Sequence, residues 1–235
     1  MAKYEIITKR DFTPNEIAKY IDHSLLFAYS SKDDVIKFCN DIKEYGFIVG
    51  YVNSVFVDLA VKEFKGHNIS VGSSIAFPWG TVPTELKVAE IEYVLKKGAK
   101  NVDFVVHIGA IKAADWDTVH YDIGSCVKAA KKFGAAECKV VLENCYLTDE
   151  EKVKAALIAK EEGVDYLKTS TGFGSGVWTV PDVRLLKKTV GTDVGIKAAG
   201  SVPDYDSAVM LLNAGASRLG TRFGIEILKT APGWK

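Results

Sequence analysis

Residues 139–172 read KVVLENCYLTDEEKVKAALIAKEEGVDYLKTSTG, and they contain one complete strand–helix–strand unit. The ends of this stretch, KVVLEN and DYLKTSTG, are short runs of the kind that form buried strands. Between them, Thr148 and Glu151 predict a capping box at the start of a helix, and Gly163 predicts the end of that helix. Val153, Ala156, Leu157 and Lys160 follow the three-to-four spacing of one helical face.

The same alternation continues towards both termini. Longer amphipathic stretches, such as SKDDVIKFCNDIKEYG and TELKVAEIEYVLKKGA, separate short apolar runs, and Gly46, Gly98 and Gly215 predict further helix ends. Eight runs are predicted to be strands: IAKYIDHSLL (17–26), FIVGYVN (47–53), ISVGSSIAFP (69–78), VDFVVHIGA (102–110), KVVLEN (139–144), DYLKTSTG (165–172), VGIKAAG (194–200) and SRLGTRFG (217–224).

Eight strand–helix units predict an α/β fold, a (β/α)8 TIM barrel that forms a single domain over residues 1–235. Strands that are apolar along their whole length favour parallel sheets buried on both faces. An open doubly wound sheet is the alternative, but no GxGxxG loop follows an early strand. A TIM barrel would place its chemistry at the carboxyl ends of the strands.

Composition excludes several other classes of protein. The chain has 30 basic and 30 acidic residues, so nothing indicates a nucleic-acid or anionic-membrane partner. No apolar run approaches membrane-spanning length, and the start MAKYEIITKRDF lacks the apolar segment of a signal peptide, so a cytoplasmic location is expected. The cysteines Cys39, Cys126, Cys138 and Cys145 form no CxxC pair, and we expect small buried core residues rather than disulfides or a metal site.

Three charged residues interrupt the predicted strands. Lys168 and Lys197 lie on neighbouring strands, and their mutual repulsion would lower the pKa of at least one amine. Asp103 lies in an otherwise apolar strand, where period-two alternation would place it on one face with Val105 and His107. An amine of lowered pKa can attack a carbonyl to form a Schiff base, and a carboxylate beside lysines can relay protons. The alternatives are a Lys168 side chain that reaches solvent and an Asp103 that only pairs with Lys139 or Lys197.

Several motifs then occur in one order along nearly the whole chain: IDHSLL, AFPWG with TELKVAE, VDFVVHIGA, KVVLEN with YLTDEEKV, LKTSTGF, VGIKAAG and LGTRFG. In these motifs the chain resembles the deoxyribose-phosphate aldolases. The resemblance implies a class I aldolase that reversibly cleaves 2-deoxy-D-ribose 5-phosphate into D-glyceraldehyde 3-phosphate and acetaldehyde, with neither metal nor organic cofactor. It implies that Lys168 forms the Schiff base and that Lys197 and Asp103 transfer protons.

The resemblance also predicts a substrate-binding set: Asp22, Thr171, Gly172, Gly200, Ser201, Gly220 and Arg222. Phosphate would bind at the loops that follow the last two strands. These loops depart from the family pattern, which usually has glycine at the position of Ser201 and serines at the positions of Arg222 and Phe223. Arg222 would either donate to phosphate through its fork of N–H groups or point to solvent. Two further departures are His107, where asparagine is usual, and the region of Gly50 and Tyr51, where cysteine is common.

Three other functions stay open. The altered phosphate loops allow a related aldolase that takes another acceptor, which need not carry a phosphate. A barrel that only binds sugar phosphate or serves in assembly is less compatible with Lys168, Lys197 and Asp103 occurring together. A sugar-phosphate epimerase or isomerase would not need an imine-forming lysine. For any of the aldolases, the resemblance suggests a homodimer or homotetramer.

Overall fold

A computed structural model of the protein describes residues 4–9 and 11–234, and within these residues eight strands form a closed barrel. Every neighbouring pair is parallel, and β1 closes the barrel by pairing with β8. The strands are β1 (Ile21–Leu25), β2 (Val49–Val52), β3 (Ser70–Ile75), β4 (Asn101–Val105), β5 (Glu137–Val141), β6 (Tyr166–Lys168), β7 (Gly195–Ala199) and β8 (Arg218–Thr221). The predicted TIM barrel is therefore confirmed.

Helices surround the barrel in sequence order. They are α1 (Pro14–Ile17), α2 (Lys32–Tyr45), α3 (Val57–Glu63), α4 (Thr84–Lys96), α5 (Ile108–Lys112), α6 (Trp116–Lys132), α7 (Asp149–Glu162), α8 (Val180–Val190), α9 (Tyr205–Ala214) and α10 (Gly224–Thr230). The capping box of Thr148 and Glu151 is present at the start of α7, and Gly163 follows its end in the left-handed conformation, as predicted. Gly46 and Gly215 have the same role after α2 and α9.

Three local predictions were wrong. Helical turns over 14–20 include the first four residues of the first run, so β1 starts only at Ile21, and Asp22 is its second residue. In α7, Leu157 is exposed, and the buried face instead includes Ala155, Ile158 and Ala159. β4 ends at Val105, and His107 does not share the face of Asp103. Instead its exposed side chain caps α5 by accepting a hydrogen bond from the backbone of Ala110.

Each strand alternates between two environments. The side chains of Val102, Phe104, Val140, Leu167 and Ile196 belong to the apolar core between strands and helices. The residues between them along the strands, Asp103, Lys139, Lys168 and Lys197, are buried and charged. Because successive side chains of a strand point to opposite faces, these charges share the barrel interior. The interior is therefore unusually polar for a TIM barrel, whose strands normally fill it with branched apolar residues.

The cysteines follow the expected pattern with one exception. Cys39, Cys126 and Cys138 are buried thiols, and Cys145 is partly exposed because it lies in the 3-10 turn over 144–146, outside the barrel strands. Burial raises the pKa of Cys39 and of Cys138 to about 12. These two thiols are therefore protonated and unreactive at neutral pH.

Candidate active site

Strand register brings the three predicted catalytic residues together. Lys168, the last residue of β6, is the direct partner of Lys197 in β7. Asp103 in β4 lies beside Lys139 in β5, one strand further around the barrel. Because all four side chains point inward, their charged ends meet at the centre of the barrel although the residues are far apart in sequence.

Asp103 is the hub of this cluster. Its Oδ2 lies 2.8 Å from Nζ of Lys197 and 3.1 Å from Nζ of Lys168. Its Oδ1 accepts a hydrogen bond of 2.8 Å from the hydroxyl of Tyr51. The alternative of a solvent-reaching Lys168 is excluded, because this residue is only 4 % exposed. A structural ion pair and a proton relay would both use this arrangement, and the turnover of an Asp103→Asn variant separates these two roles.

The cluster extends to residues that the sequence did not assign to catalysis. Lys139 donates hydrogen bonds to the hydroxyl of Tyr51 at 3.0 Å and to Glu137 at 2.6 Å. Glu137 also pairs with Arg218, 3.3 Å away. The period-two pattern of β5 places Lys139 inward, and this signal could have identified it.

Asp22 closes the network from β1. Its Oδ2 lies 2.7 Å from Nζ of Lys197, and its Oδ1 lies 3.8 Å from the guanidinium of Arg218. Asp22, predicted to be part of the substrate-binding set, could bind a sugar hydroxyl in the pocket or orient its charged neighbours. The ion pair supports the orienting role, although Asp22 also lines the pocket above the lysines. Lys197 is thus held between two carboxylates.

Charge balance shows that the network can lose one proton, and burial indicates which amine loses it. The ion-paired network has four basic groups, Lys139, Lys168, Lys197 and Arg218, and three carboxylates, Asp22, Asp103 and Glu137. Loss of one proton would make it neutral. Burial lowers the pKa of Lys168, Asp103 raises it in part, and the charge on Lys197 lowers it further. Lys168 is therefore the amine best suited to nucleophilic attack.

Two carboxylates of the network, Asp103 and Asp22, are kept ionised. Burial alone would raise the pKa of Asp103, but Lys197, Lys168 and Lys139 outweigh it and hold the pKa below its usual value. For Asp22, Lys197 and Lys139 likewise outweigh burial and lower the pKa. Both groups are therefore ionised at neutral pH, which is the state in which a carboxylate can accept a proton.

The lowered pKa of Lys168 predicts how imine formation depends on pH. The neutral amine is the nucleophile, so the rate of borohydride-trapped adduct formation should rise with pH and level off below the ordinary lysine pKa of 10.5. Lys197→Met removes a positive charge that lowers the pKa of Lys168, so the midpoint should move to higher pH. Trapping yields with acetaldehyde across a pH series measure both curves. A Lys197→Met midpoint at or below that of the native protein would contradict this electrostatic explanation.

A pocket opens above the lysines at the carboxyl ends of the strands, and Lys168, Lys197 and Tyr51 form part of its floor. The predicted substrate-binding residues all line it: Asp22, Thr171, Gly172, Gly200, Ser201, Gly220 and Arg222. Ser201 has a φ of 64°, a left-handed conformation that glycine adopts more easily. This strain explains why the resembling family usually has glycine here.

Arg222 lies exposed at the mouth of the pocket. Its guanidinium carbon is 4.5 Å from the ring centroid of Phe223 and 5.3 Å from that of Phe27. Among the described residues, no ion pair involves Arg222, whereas both lysines of the pocket are paired. Phe223 therefore supports the guanidinium by stacking, and Arg222 presents an unneutralised charge to an incoming anion.

Thr171 is held by Glu143, which sequence analysis placed on strand five but did not assign to the site. The Thr171 hydroxyl hydrogen-bonds to the Glu143 carboxylate, which also accepts from the Thr171 backbone N–H at 3.2 Å. Thr171 in turn accepts a hydrogen bond of 3.0 Å from the backbone of Phe173. Burial raises the pKa of Glu143, although these hydrogen bonds lower it in part. Thr171 therefore shapes the loop beside the pocket in addition to lining it.

Residues 4–9 and 11–234 offer neither a metal-ion cluster nor a membrane-crossing helix. These residues contain no cluster of His, Cys, Asp or Glu suited to a metal ion. None of their helices combines the length and apolar character needed to cross a bilayer.

Comparisons with known proteins agree with this geometry. Residues 17–214 match the model of the DeoC/LacD family of aldolases. The deoxyribose-phosphate aldolase of Thermococcus kodakarensis is 48 % identical over 92 % of this chain and 97 % of its own. That of Caldanaerobacter subterraneus is 43 % identical over 97 % of both chains.

A solved structure of an aldolase is also similar to this chain. The deoxyribose phosphate aldolase of Aeropyrum pernix, described as a tetramer, is 28 % identical and superimposes with a TM-score of 0.87 over 94 % of this chain and 92 % of its own. The matching fold, the inward lysines and the family model lead to one conclusion: the chain belongs to the DeoC/LacD family of aldolases.

Proposed function

We propose that the protein is a class I deoxyribose-phosphate aldolase, an aldehyde-lyase that reversibly converts 2-deoxy-D-ribose 5-phosphate into D-glyceraldehyde 3-phosphate and acetaldehyde. The observation that carries this proposal is the buried amine of Lys168, whose pKa is lowered and which lies 3.1 Å from a proton-accepting carboxylate. This arrangement meets the main requirement of Schiff-base catalysis, a neutral amine next to a group that moves protons.

Cleavage would begin with attack of Lys168 Nζ on the C1 aldehyde of the open-chain sugar. Loss of water gives a protonated imine, which acts as an electron sink. The C3 hydroxyl then loses its proton, the C2–C3 bond breaks, and its electron pair moves into a C1–C2 enamine on Lys168. D-Glyceraldehyde 3-phosphate leaves at this stage. Protonation of the enamine at C2 and hydrolysis of the imine release acetaldehyde and the free amine.

Asp103 and Lys197 are the groups proposed to move these protons, with a water as intermediary. Asp103 contacts both lysines through one oxygen, so a proton can pass between it and either amine without movement of the backbone. Asp22 holds Lys197 from the opposite side. Lys197 is therefore positioned to give a proton to Asp103 or to the water and to recover it in the reverse direction.

The substrate phosphate is proposed to bind at the loops after β7 and β8. The backbones of Gly200, Ser201 and Gly220 line this part of the pocket, and Arg222 adds its charge at the mouth. TIM barrels often bind phosphate at this position. A hydrogen-bonded guanidinium would replace the hydroxyl donors that the family usually has here.

Arg222→Leu is expected to raise KM for 2-deoxyribose 5-phosphate by about 10- to 100-fold, the range for losing hydrogen bonds to a charged group. The kcat value and the rate with unphosphorylated 2-deoxyribose should change little, because Arg222 does not touch the reacting carbons. Steady-state kinetics with both sugars measure this difference. Arg184→Leu, on α8 and outside the pocket, is the control for loss of an arginine. Equal effects of Arg222→Leu on both sugars would contradict a phosphate-binding role.

Release of D-glyceraldehyde 3-phosphate from 2-deoxyribose 5-phosphate, followed by a coupled dehydrogenase assay, tests the proposed function. Faster cleavage of unphosphorylated 2-deoxyribose would favour the second candidate, an aldolase with another acceptor, which the altered residues Arg222 and Phe223 motivate. A folded protein that cleaves neither sugar would be a binding barrel. Epimerisation without an imine would indicate the third alternative.

Assembly and location are also proposed. The tetramer described for the Aeropyrum pernix relative supports a homo-oligomer, either a dimer or a tetramer, which light scattering would measure. A cytoplasmic location remains the expectation from sequence. The single-domain boundaries at 1 and 235 remain a prediction, since residues 1–3, Arg10 and Lys235 lie outside the described part of the chain.

A further inference from the structure

Tyr51 connects charged groups of the active site that come from three other strands, β4, β5 and β7. It lies in β2 with only 1 % of its surface exposed. Its hydroxyl donates to Asp103 Oδ1 over 2.8 Å and accepts from Lys139 Nζ over 3.0 Å. Its ring lies beneath Lys197, with Nζ 3.8 Å from the ring centroid. One side chain thus contacts the proposed base and two of the surrounding lysines.

These contacts give the two carboxylate oxygens of Asp103 different roles. Oδ1 is occupied by Tyr51, and Lys139 lies 3.9 Å from it. Oδ2 faces Lys168 and Lys197. A carboxylate fixed through one oxygen cannot rotate that oxygen away, so the other remains directed at the two catalytic amines. Without the phenol, Asp103 could turn Oδ1 towards Lys139.

The barrel contains a specific slot for the phenol ring. Gly72 in β3 has no side chain, and a Cβ atom there would lie 2.6 Å from atoms of the Tyr51 ring. A side chain at position 72 would therefore force the ring to move. The close approach of backbone and ring, together with the cation–π contact to Lys197, constrains the position of the hydroxyl.

The hydroxyl also remains a donor over the working pH range. Burial raises the pKa of Tyr51 well above its ordinary value, and the charges on Asp103 and Asp22 raise it further. Tyr51 therefore does not lose its proton to Asp103 and does not itself act as a base. Its contribution is to orientation.

We propose that Tyr51 is a positioning residue for proton transfer: its hydroxyl fixes Asp103 Oδ1 and its ring supports Lys197, so that Oδ2 stays aimed at the proton that moves at substrate C2. This inference rests on the proposed aldolase function. It predicts that loss of the hydroxyl slows proton transfer without slowing imine formation, because Tyr51 makes no hydrogen bond to Lys168 among the described contacts.

The test separates the two steps with acetaldehyde alone. In D₂O, the imine on Lys168 loses a C2 proton to form the enamine and gains deuterium in the reverse step, which proton NMR detects as loss of the methyl signal. Tyr51→Phe keeps the ring and removes the hydroxyl, and should slow this exchange about tenfold while borohydride-trapped imine stays within about twofold of the native protein. Gly72→Ala keeps the hydroxyl but displaces it, and should give the same pattern.

Tyr205→Phe is the matched control, since the hydroxyl of Tyr205 is also buried but binds the backbone of Phe12, away from the pocket. It should leave exchange unchanged. Exchange in Tyr51→Phe at the native rate, or trapping that falls by the same factor as exchange, would overturn the positioning role. A native protein that neither exchanges deuterium nor forms an imine would instead contradict the proposed function.

Discussion

Lys168→Leu is expected to lower the rate of 2-deoxyribose 5-phosphate cleavage by at least about 10³-fold, because the covalent step is lost. Lys197 cannot replace the missing amine, since it is bound between the carboxylates of Asp103 and Asp22. Leucine fits the buried site, so the protein should remain folded. Single-turnover cleavage and circular dichroism measure the two effects.

Lys187→Leu is the matched control for this substitution. Lys187 in α8 is also buried, and burial lowers its pKa, but it lies outside the pocket and donates to the backbone of Tyr4. The Lys187→Leu variant should cleave the substrate at a rate within about twofold of the native value, as is usual for substitutions away from a functional site. Residual activity above a few per cent in Lys168→Leu would show that another group supplies the nucleophile.

Asp103→Asn is expected to lower kcat by about 10²- to 10³-fold, within the range for loss of a general acid–base group. Imine formation should survive, because the carboxylate of Asp103 raises the pKa of Lys168 and its removal makes the amine easier to deprotonate. The variant should therefore still form the trapped imine adduct although its kcat is low. Parallel measurement of kcat and of trapped adduct at neutral pH distinguishes this result from simple unfolding.

Asp122→Asn provides the control for removing a buried, ion-paired carboxylate. Asp122 is fully buried and lies 2.7 Å from Nζ of Lys87, between α4 and α6. Breaking either buried ion pair should cost about 3–5 kcal/mol in the free energy of unfolding. Only Asp103→Asn should also lower kcat. An equal loss of kcat in both variants would show that Asp103 has only a structural role.

The sequence was sufficient to predict the barrel and its central charges, for one physical reason. Parallel strands that are buried on both faces tolerate charge poorly, so Lys168, Lys197 and Asp103 stood out against apolar neighbours. The same argument failed for His107, because the end of β4 depends on where α5 begins rather than on alternation. The three-to-four spacing in α7 likewise did not identify its buried face, which includes Ala155, Ile158 and Ala159 but not Leu157.

The partners of these charges could not be predicted in the same way. Tyrosine is common in ordinary strands, so Tyr51 did not stand out in the sequence. Its contact with Asp103 depends on how far side chains reach across a closed barrel. Glu143 holds Thr171 only because its own backbone adopts a φ of 55° after β5 ends. Such contacts follow from register and loop conformation, which local sequence patterns do not specify.

Borohydride trapping is the most direct measurement of the proposed mechanism. The native protein would be incubated with 2-deoxyribose 5-phosphate or acetaldehyde, reduced, digested and mapped by mass spectrometry. A single adduct on Lys168, absent from Lys168→Leu, is the predicted result. An adduct on Lys197 or Lys139 instead, or a folded protein with no adduct on any lysine, would contradict the assignment of Lys168 as the Schiff-base residue.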